Sequence, residues 1–312
     1  VGHKSPSRAT MAESKDLTKA VREARVAARA MAALSAADRE KALSAMRASL
    51  EQARDVIEEC NRKDKANAKT SGLADSLLKR LDVEGKKFNG MLSKVDEVKA
   101  VPDPLGVVSR ATELDDGLDL YRVACPIGVI CVIFESRPEA AVQIASLTVR
   151  SGNAVILKGG KEAANTNAAL VAAMQGGLSA SGVVPAGAVQ LVSTREEIAE
   201  LLSMHGQIDL IVPRGSNELV SHIMQNTSIP VLGHADGICS VYLDESADVQ
   251  TAVRVAVDSK MDYPVACNAA EKLVVHRGAL KTALPAVGEA LLSKGVELRA
   301  DEASFAELSA RA

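Results

Sequence analysis

The stretch Asp262-Tyr263-Pro264-Val265-Ala266-Cys267-Asn268 places a cysteine in a loop-like segment just ahead of a strand. A thiolate is a strong nucleophile. Cys267 is therefore a candidate for covalent catalysis wherever its surroundings lower its pKa or a base takes its proton. The competing reading is an inert loop cysteine. Cys125 and Cys131 lie beside or within apolar runs, where Cys acts as a small core residue. Cys60 and Cys239 also read as structural. The five Cys are scattered, odd in number and without a C-x-x-C pair. That usage suits a reducing compartment and neither a disulfide framework nor a zinc site. The five His stand singly with no H-E-x-x-H spacing, so no metal is expected.

Four further segments sit where strands should end. Leu157-Lys158-Gly159-Gly160-Lys161-Glu162 follows an apolar run and precedes a helix. Gly159 and Gly160 let the backbone approach a ligand, the helix start offers free N–H groups to a phosphate, and Lys158 and Lys161 add positive charge. The segment is neither G-x-x-x-x-G-K-[ST] nor G-x-G-x-x-G, and a plain turn with solvated lysines is the alternative. Pro213-Arg214-Gly215-Ser216-Asn217 repeats the arrangement: Gly215 permits close approach, and Ser216 can cap the helix. Two such turns in one sheet favour a dinucleotide or phosphorylated ligand. In Glu135-Ser136-Arg137-Pro138, Arg137 can clamp a carboxylate or phosphate or can form a surface ion pair. His234, in Gly233-His234-Ala235-Asp236-Gly237, reads as a site neighbour or as a turn hydrogen bond.

The elements that must position these groups are legible in the periodicity. Residues 14–69 are Ala-rich with apolar positions at helical spacing, broken at Leu34-Ser35-Ala36-Ala37-Asp38, after which a second helix is expected to reach Cys60. Leu77 to about Val98 reads as one more helix. Asp115-Asp116-Gly117 between apolar runs predicts a hairpin near 113–124. Thereafter short apolar runs at Gly128–Phe134, Ala154–Leu157, Val189–Val192 and Ile208–Val212 alternate with helical stretches. This predicts βαβ units and a doubly wound parallel sheet covered on both faces. Ligands in such sheets bind beyond the carboxyl ends of the strands. From residue 236 a second α/β unit starts. The expected division is a disordered leader over 1–13, helices plus a Rossmann-like domain over 14–235, and the truncated start of another domain over 236–312.

Composition narrows the function. The 312 residues are 47% hydrophobic and 25% charged, an ordinary globular balance, with a formal net charge of −3. Nothing in that charge favours nucleic acid or an anionic membrane. The 2% aromatics and the lack of Trp argue against base-stacking platforms. No apolar run reaches the roughly 20 residues of a membrane helix. Without a secretory signal or clear transit peptide, the expected location is cytoplasmic.

The five strand-end segments, including Val231-Leu232-Gly233-His234-Ala235-Asp236-Gly237, occur in an order that resembles the γ-glutamyl phosphate reductase (glutamate-5-semialdehyde dehydrogenase) family of the aldehyde dehydrogenase superfamily. The resemblance runs from about Leu17 to His276 and is nearest to the eukaryotic form, including the reductase half of pyrroline-5-carboxylate synthase. It implies an aldehyde-dehydrogenase-like fold and NADPH-dependent reduction of γ-glutamyl phosphate to glutamate 5-semialdehyde in proline biosynthesis. In this reading Cys267 is the nucleophile that forms a thioester, and Asn268 stabilises the oxyanion. Lys158, Gly159, Gly160 and Lys161 bind the cofactor, with Lys158 near the adenosine ribose and Lys161 favouring a 2′-phosphate. Gly215 and Ser216 lie near the cofactor diphosphate, and Arg137 and His234 face the substrate. The hairpin becomes an oligomerisation arm, a homo-oligomer is expected for the full-length enzyme, and a glutamate 5-kinase, separate or fused, is the expected partner.

Oxidising aldehyde dehydrogenases carry a water-activating Glu where this chain reads Leu232-Gly233-His234-Ala235. Its absence argues against a generic aldehyde oxidiser. After the nucleophile the family usually reads Asn-Ala-Met-Glu-Thr; here the residues are Asn268-Ala269-Ala270-Glu271-Lys272. The later glycine-rich motifs of the catalytic domain and the returning oligomerisation strand are absent. The alternative expectation is thus an inactive truncated reductase that retains only cofactor binding or partner interaction.

Overall fold

Ser35 opens the ordering of the N-terminal helices. In the computed structural model, which describes residues 8–192, 196–233, 237–264, 266 and 268–309, its hydroxyl accepts from the Asp38 N–H while the Asp38 carboxylate accepts from the Ser35 N–H. This capping box separates α1 (Arg8–Met31) from α2 (Ala36–Gln52) at the expected break. Helix α1 begins within the stretch read as a leader.

Two expected helices are each divided. The helix expected to reach Cys60 stops at Gln52, and α3 (Arg54–Thr70) starts one residue later. Ala53 turns the chain at φ −86°, ψ 4°, with neither Gly nor Pro to announce it. The helix expected over Leu77–Val98 is α4 (Asp75–Leu81) followed by α5 (Lys86–Ala100). Val83, 1% exposed, turns inward between them, and its N–H donates to Asn61 Oδ1. A long-range contact overrides local helical propensity there.

The hairpin is β1 (Val108–Asp115) and β2 (Leu118–Val123), joined by Asp116-Gly117, with Gly117 at φ 73°. Almost all of its residues are exposed, Leu118, Leu120 and Tyr121 among them.

The chain divides into two units, Val1–Ala235 and Asp236–Ala312. In the first, β3 (Val129–Phe134), β4 (Ala154–Lys158), β5 (Val189–Val192) and β6 (Leu210–Arg214) form a parallel sheet ordered β5-β4-β3-β6. Every residue of β3 and β4 is buried, which explains why both read as unbroken apolar runs. Helices α6 (Glu139–Arg150) and α7 (Ala164–Ser181) pack on the sheet and on each other, while α1 packs on β3, β4 and β5 and on α8 (Glu196–Ser203). Helices α2, α3 and α5 lie over α6 and α7 as an outer layer. Gly177 makes the closest approach there, since a Cβ would lie 2.6 Å from the Met46 Cα. The α/β class with a doubly wound parallel sheet is as expected.

The strand order reverses between β3 and β6. This is the topological switch point, where the C-terminal ends of adjacent strands open a crevice for ligand.

In the second unit, β7 (Cys239–Leu243) and β8 (Ala270–Val275) pair in parallel, linked by α10 (Val249–Met261). Helix α9 (Asn217–Gln225) closes the first unit, and α11 (Ala283–Ser293) and α12 (Glu302–Ser309) close the second. Leu243, Ala252, Ala256, Val287 and Leu291 form its small core.

Candidate active site

Three turns leave the C-terminal edge of the first unit's sheet, and their side chains interlock. The turn after β3 carries Glu135, Ser136 and Arg137. That after β4 carries Gly159, Gly160, Lys161 and Glu162, and that after β6 carries Gly215 and Ser216. The Ser136 N–H and hydroxyl both donate to Glu162 Oε1, at 2.6 and 2.8 Å. A Cβ on Gly215 would lie 3.0 Å from Glu135 Oε2 and 2.8 Å from Leu219 Cδ2. The structure thus brings Arg137, the 158–161 turn and the 215–216 turn to one edge, at the switch point.

Side chains of the protein itself stand over the glycines of the β4 turn. A Cβ on Gly159 would lie 2.1 Å from Asn167 Nδ2, and one on Gly160 would lie 2.1 Å from Glu162 Oε1. The protein's own side chains occupy the space that these glycines clear. A cavity of about 50 Å³ remains beside them, lined by Gly159, Gly160, Lys161, Ala164, Asn167, Leu191 and Val192. Asn167 is 2% exposed, and its Oδ1 has no hydrogen-bond partner.

The expectation that the following helix offers free N–H groups to a phosphate is corrected. A short 3-10 turn, Lys161–Ala163, precedes α7. The Asn165 and Thr166 amides then donate to the Asp64 carboxylate at 3.4 and 2.7 Å, and the Thr166 hydroxyl adds a bond of 2.7 Å. Asp64 belongs to α3 and is 3% exposed. A carboxylate remote in sequence therefore caps this helix. By contrast, Ser216 caps α9 as expected, accepting from the Leu219 N–H.

The two lysines have different surroundings. Lys158 is 6% exposed, and its ammonium donates to the Gly159 carbonyl at 2.6 Å, across the turn it begins. Lys161 is exposed, as is Arg137. At the start of α6, burial pushes the Glu139 carboxyl above its ordinary range, against the pull of Arg137 and Lys87. One of its oxygens, Oε2, is buried without a partner.

Cys267 and His234 lie outside the described residues. Asn268 belongs to the second unit and is exposed, between consecutive turns in which Ala266 N–H donates to the Tyr263 carbonyl and Ala269 N–H to the Ala266 carbonyl. Of the other thiols, Cys131 is buried in β3, where desolvation pushes its pKa up to about 12. Cys125 is exposed, contrary to its expected place in the core. Only Ala124 separates it from the end of β2, before the buried run of β3 begins.

Sequence reading missed Ser136, Glu162, Asn167 and Asp64. Glu162, directly after the Gly-Gly-Lys run, was the one with a visible signal. Asp64 is more than 100 positions from the amides it caps, as its contact with Thr166 across a separation of 102 shows. Among the described residues, no group of three or more His, Cys, Asp or Glu is placed to hold a metal ion. No described helix is long and apolar enough to cross a membrane.

The family model described as the aldehyde dehydrogenase family matches residues 3–304. A γ-glutamyl phosphate reductase of Nostoc sp. is 46% identical over 293 residues, covering 94% of this chain and 67% of that protein. A probable γ-glutamyl phosphate reductase of Schizosaccharomyces pombe is 46% identical over 290 residues, covering 91% of this chain and 64% of that protein. The crystal structure of the Thermotoga maritima γ-glutamyl phosphate reductase superposes with a TM-score of 0.89 at 34% identity, over 94% of this chain and 71% of that one. This chain spans about two thirds of the length of the curated relatives it matches.

Proposed function

The chain belongs to the aldehyde dehydrogenase family, and within it to the γ-glutamyl phosphate reductases; from that premise we propose that it reduces γ-glutamyl phosphate to glutamate 5-semialdehyde and phosphate in proline biosynthesis. The observation that carries this reading is the 46% identity to a reductase across 94% of the chain.

The cofactor proposed is NADPH. The edge of the first sheet fits a dinucleotide: it is a switch point, it presents the exposed Lys161 cation, and it holds the unpartnered acceptor Asn167 Oδ1. Lys158, Gly159, Gly160 and Lys161 would hold the adenosine end, with Gly215 and Ser216 at the diphosphate. When bound, NADPH supplies the two electrons of the reduction.

In the proposed chemistry the Cys267 thiolate attacks the acyl carbon of γ-glutamyl phosphate. The carbon–sulfur bond forms, the carbon–oxygen bond to phosphate breaks, and phosphate leaves with the electron pair. The Asn268 side-chain amide and the Cys267 N–H would donate to the oxyanion. After reduction, collapse of the thiohemiacetal releases aldehyde and restores Cys267. Arg137 would bind an anionic group of the substrate, and His234 is the other residue proposed for substrate binding. The lack of a Glu in Leu232-Gly233-His234-Ala235 supports reduction, since a water-activating base would hydrolyse the thioester.

An acyl phosphate of this kind is made by ATP-dependent phosphorylation of glutamate, so a glutamate 5-kinase, separate or fused, is the proposed partner. The exposed apolar side chains of the β1–β2 hairpin support its role as an oligomerisation arm, and the proposed location is the cytoplasm.

The test is the reverse reaction, phosphate-dependent reduction of NADP by glutamate 5-semialdehyde, beside a Cys267→Ser control. Turnover that requires phosphate and is lost in the control supports the reductase. A folded chain that binds NADPH without turnover supports instead a reductase fragment limited to cofactor binding or partner interaction.

A further inference from the structure

Ser136 is the one described residue other than glycine with positive φ, at 47°. L-residues avoid that region, and those that occupy it are held there by their surroundings. What holds Ser136 is visible. Its N–H and hydroxyl both donate to Glu162 Oε1, at 2.6 and 2.8 Å. Glu162 comes from the turn after β4, the strand next to β3, where Ile133 pairs with Lys158. To reach Ser136 its carboxylate folds back over Gly160, where a Cβ would lie 2.1 and 2.4 Å from its two oxygens. Gly160 is thus needed for a contact between two turns. On the far side of Ser136, the Arg137 carbonyl accepts from the Ala140 N–H at 3.0 Å, which fixes the start of α6.

We propose that Glu162 is a positioning residue: by holding Ser136 in its left-handed conformation, it sets the direction in which Arg137 leaves the end of β3 toward an anionic group of the substrate. This rests on the reductase reading for the identity of that substrate. The geometry of the contact itself does not depend on it. Glu162 touches neither reactant in this proposal and acts through Ser136.

The test uses the full chain with Glu162→Ala, Glu162→Gln, Ser136→Gly and the double variant Glu162→Ala with Ser136→Gly. The Ser136 amide should exchange with deuterium at least about tenfold faster in Glu162→Ala, because its acceptor is gone. The KM for glutamate 5-semialdehyde should rise about tenfold, with kcat and the NADPH Kd within about twofold of the parent. Gln keeps an acceptor oxygen at the same reach, so Glu162→Gln should recover most of the loss. Glycine adopts φ 47° without strain, so Ser136→Gly should relieve part of the defect of Glu162→Ala. Unchanged Ser136 exchange in Glu162→Ala would overturn the proposal. So would a loss of NADPH affinity as large as the rise in KM, which would place Glu162 in the cofactor turn alone. If the parent chain has no turnover, the reductase reading is what fails; exchange at Ser136 and the Arg137 Nε chemical shift, compared across the same variants, still decide the positioning role.

Discussion

The Asp209 carboxylate fills the space that a side chain on Gly128 would need. A Cβ there would lie 2.1 Å from Asp209 Oδ2, and Gly128 has φ 126°. The same carboxylate accepts from the Val129 N–H at 2.7 Å and from Arg25 at 2.7 and 3.1 Å, so it joins β3 to α1 before the sheet begins. Gly128→Ala should therefore cost about 3 kcal/mol or more, combining backbone strain with overpacking. Gly182→Ala, at φ 72° with open space around it, should cost about 1 kcal/mol. Urea denaturation of both variants checks the difference.

Arg39 is 2% exposed and grips Asp103 through bonds of 2.8 and 2.6 Å, which ties α2 to the segment after α5. Asp103→Asn leaves the buried guanidinium without its counter-charge and should cost about 3 kcal/mol. Burial alone would raise the Asp103 pKa. The Leu105 N–H and the Arg39 charge outweigh it and hold the carboxyl below its ordinary 3.8. A depressed carboxylate pKa contributes stability that is present above 3.8 and is lost as pH falls through the lower folded value. The stability difference between parent and Asp103→Asn should narrow in that acid range, as followed by thermal unfolding against pH.

Glu139 behaves in the opposite sense. Burial raises its pKa above 4.5. Its ionisation therefore opposes folding, and the associated stability is complete below 4.5 and lost as pH rises through the folded value. Glu139→Gln should raise the Tm at pH 7 and leave it nearly unchanged at pH 4. Calorimetry at the two pH values makes the comparison.

Asp64 caps a helix from outside it. Asp64→Ala would leave the Thr166 amide and hydroxyl, both bonded to its carboxylate at 2.7 Å, buried without an acceptor. The expected cost is about 3 kcal/mol. Amide exchange should quicken at Asn165 and Thr166 before it changes in β3 or β4.

Thiol reactivity should separate two cysteines that look alike in sequence. Iodoacetamide at pH 8 should label the exposed Cys125 and leave Cys131, with its pKa near 12, unmodified until the chain is unfolded. Peptide mapping by mass spectrometry before and after urea reads the outcome.

The parallel sheet was legible because β3 and β4 are buried on both faces and must be apolar at every position. The hairpin was legible because Asp116-Gly117 supplies the positive φ that a tight turn requires. The break at Ala53 carries no Gly or Pro, and the inward turn at Val83 depends on Asn61 in another helix, so neither had a local signal. At the site, the residue types were readable and their partners were not. Gly159 and Gly160 looked like room for a ligand, yet the space they clear holds the Asn167 amide and the Glu162 carboxylate. Those contacts cross between turns, and spacing along one chain segment does not encode them.

The Asp64 cap has a consequence for how an anion would be held at this edge. With the first amides of α7 taken by an internal carboxylate, the helix dipole is compensated before any ligand arrives. At the β4 turn, attraction then falls to the exposed Lys161 ammonium, a charge bathed in electrolyte. Counter-ions screen such a charge over about 10 Å at 0.1 M and about 3 Å at 1 M. A phosphate bound at this turn would thereby be held with an affinity tied to ionic strength, in contrast to a cradle of fixed backbone dipoles, whose short hydrogen bonds concentrated salt would disturb far less.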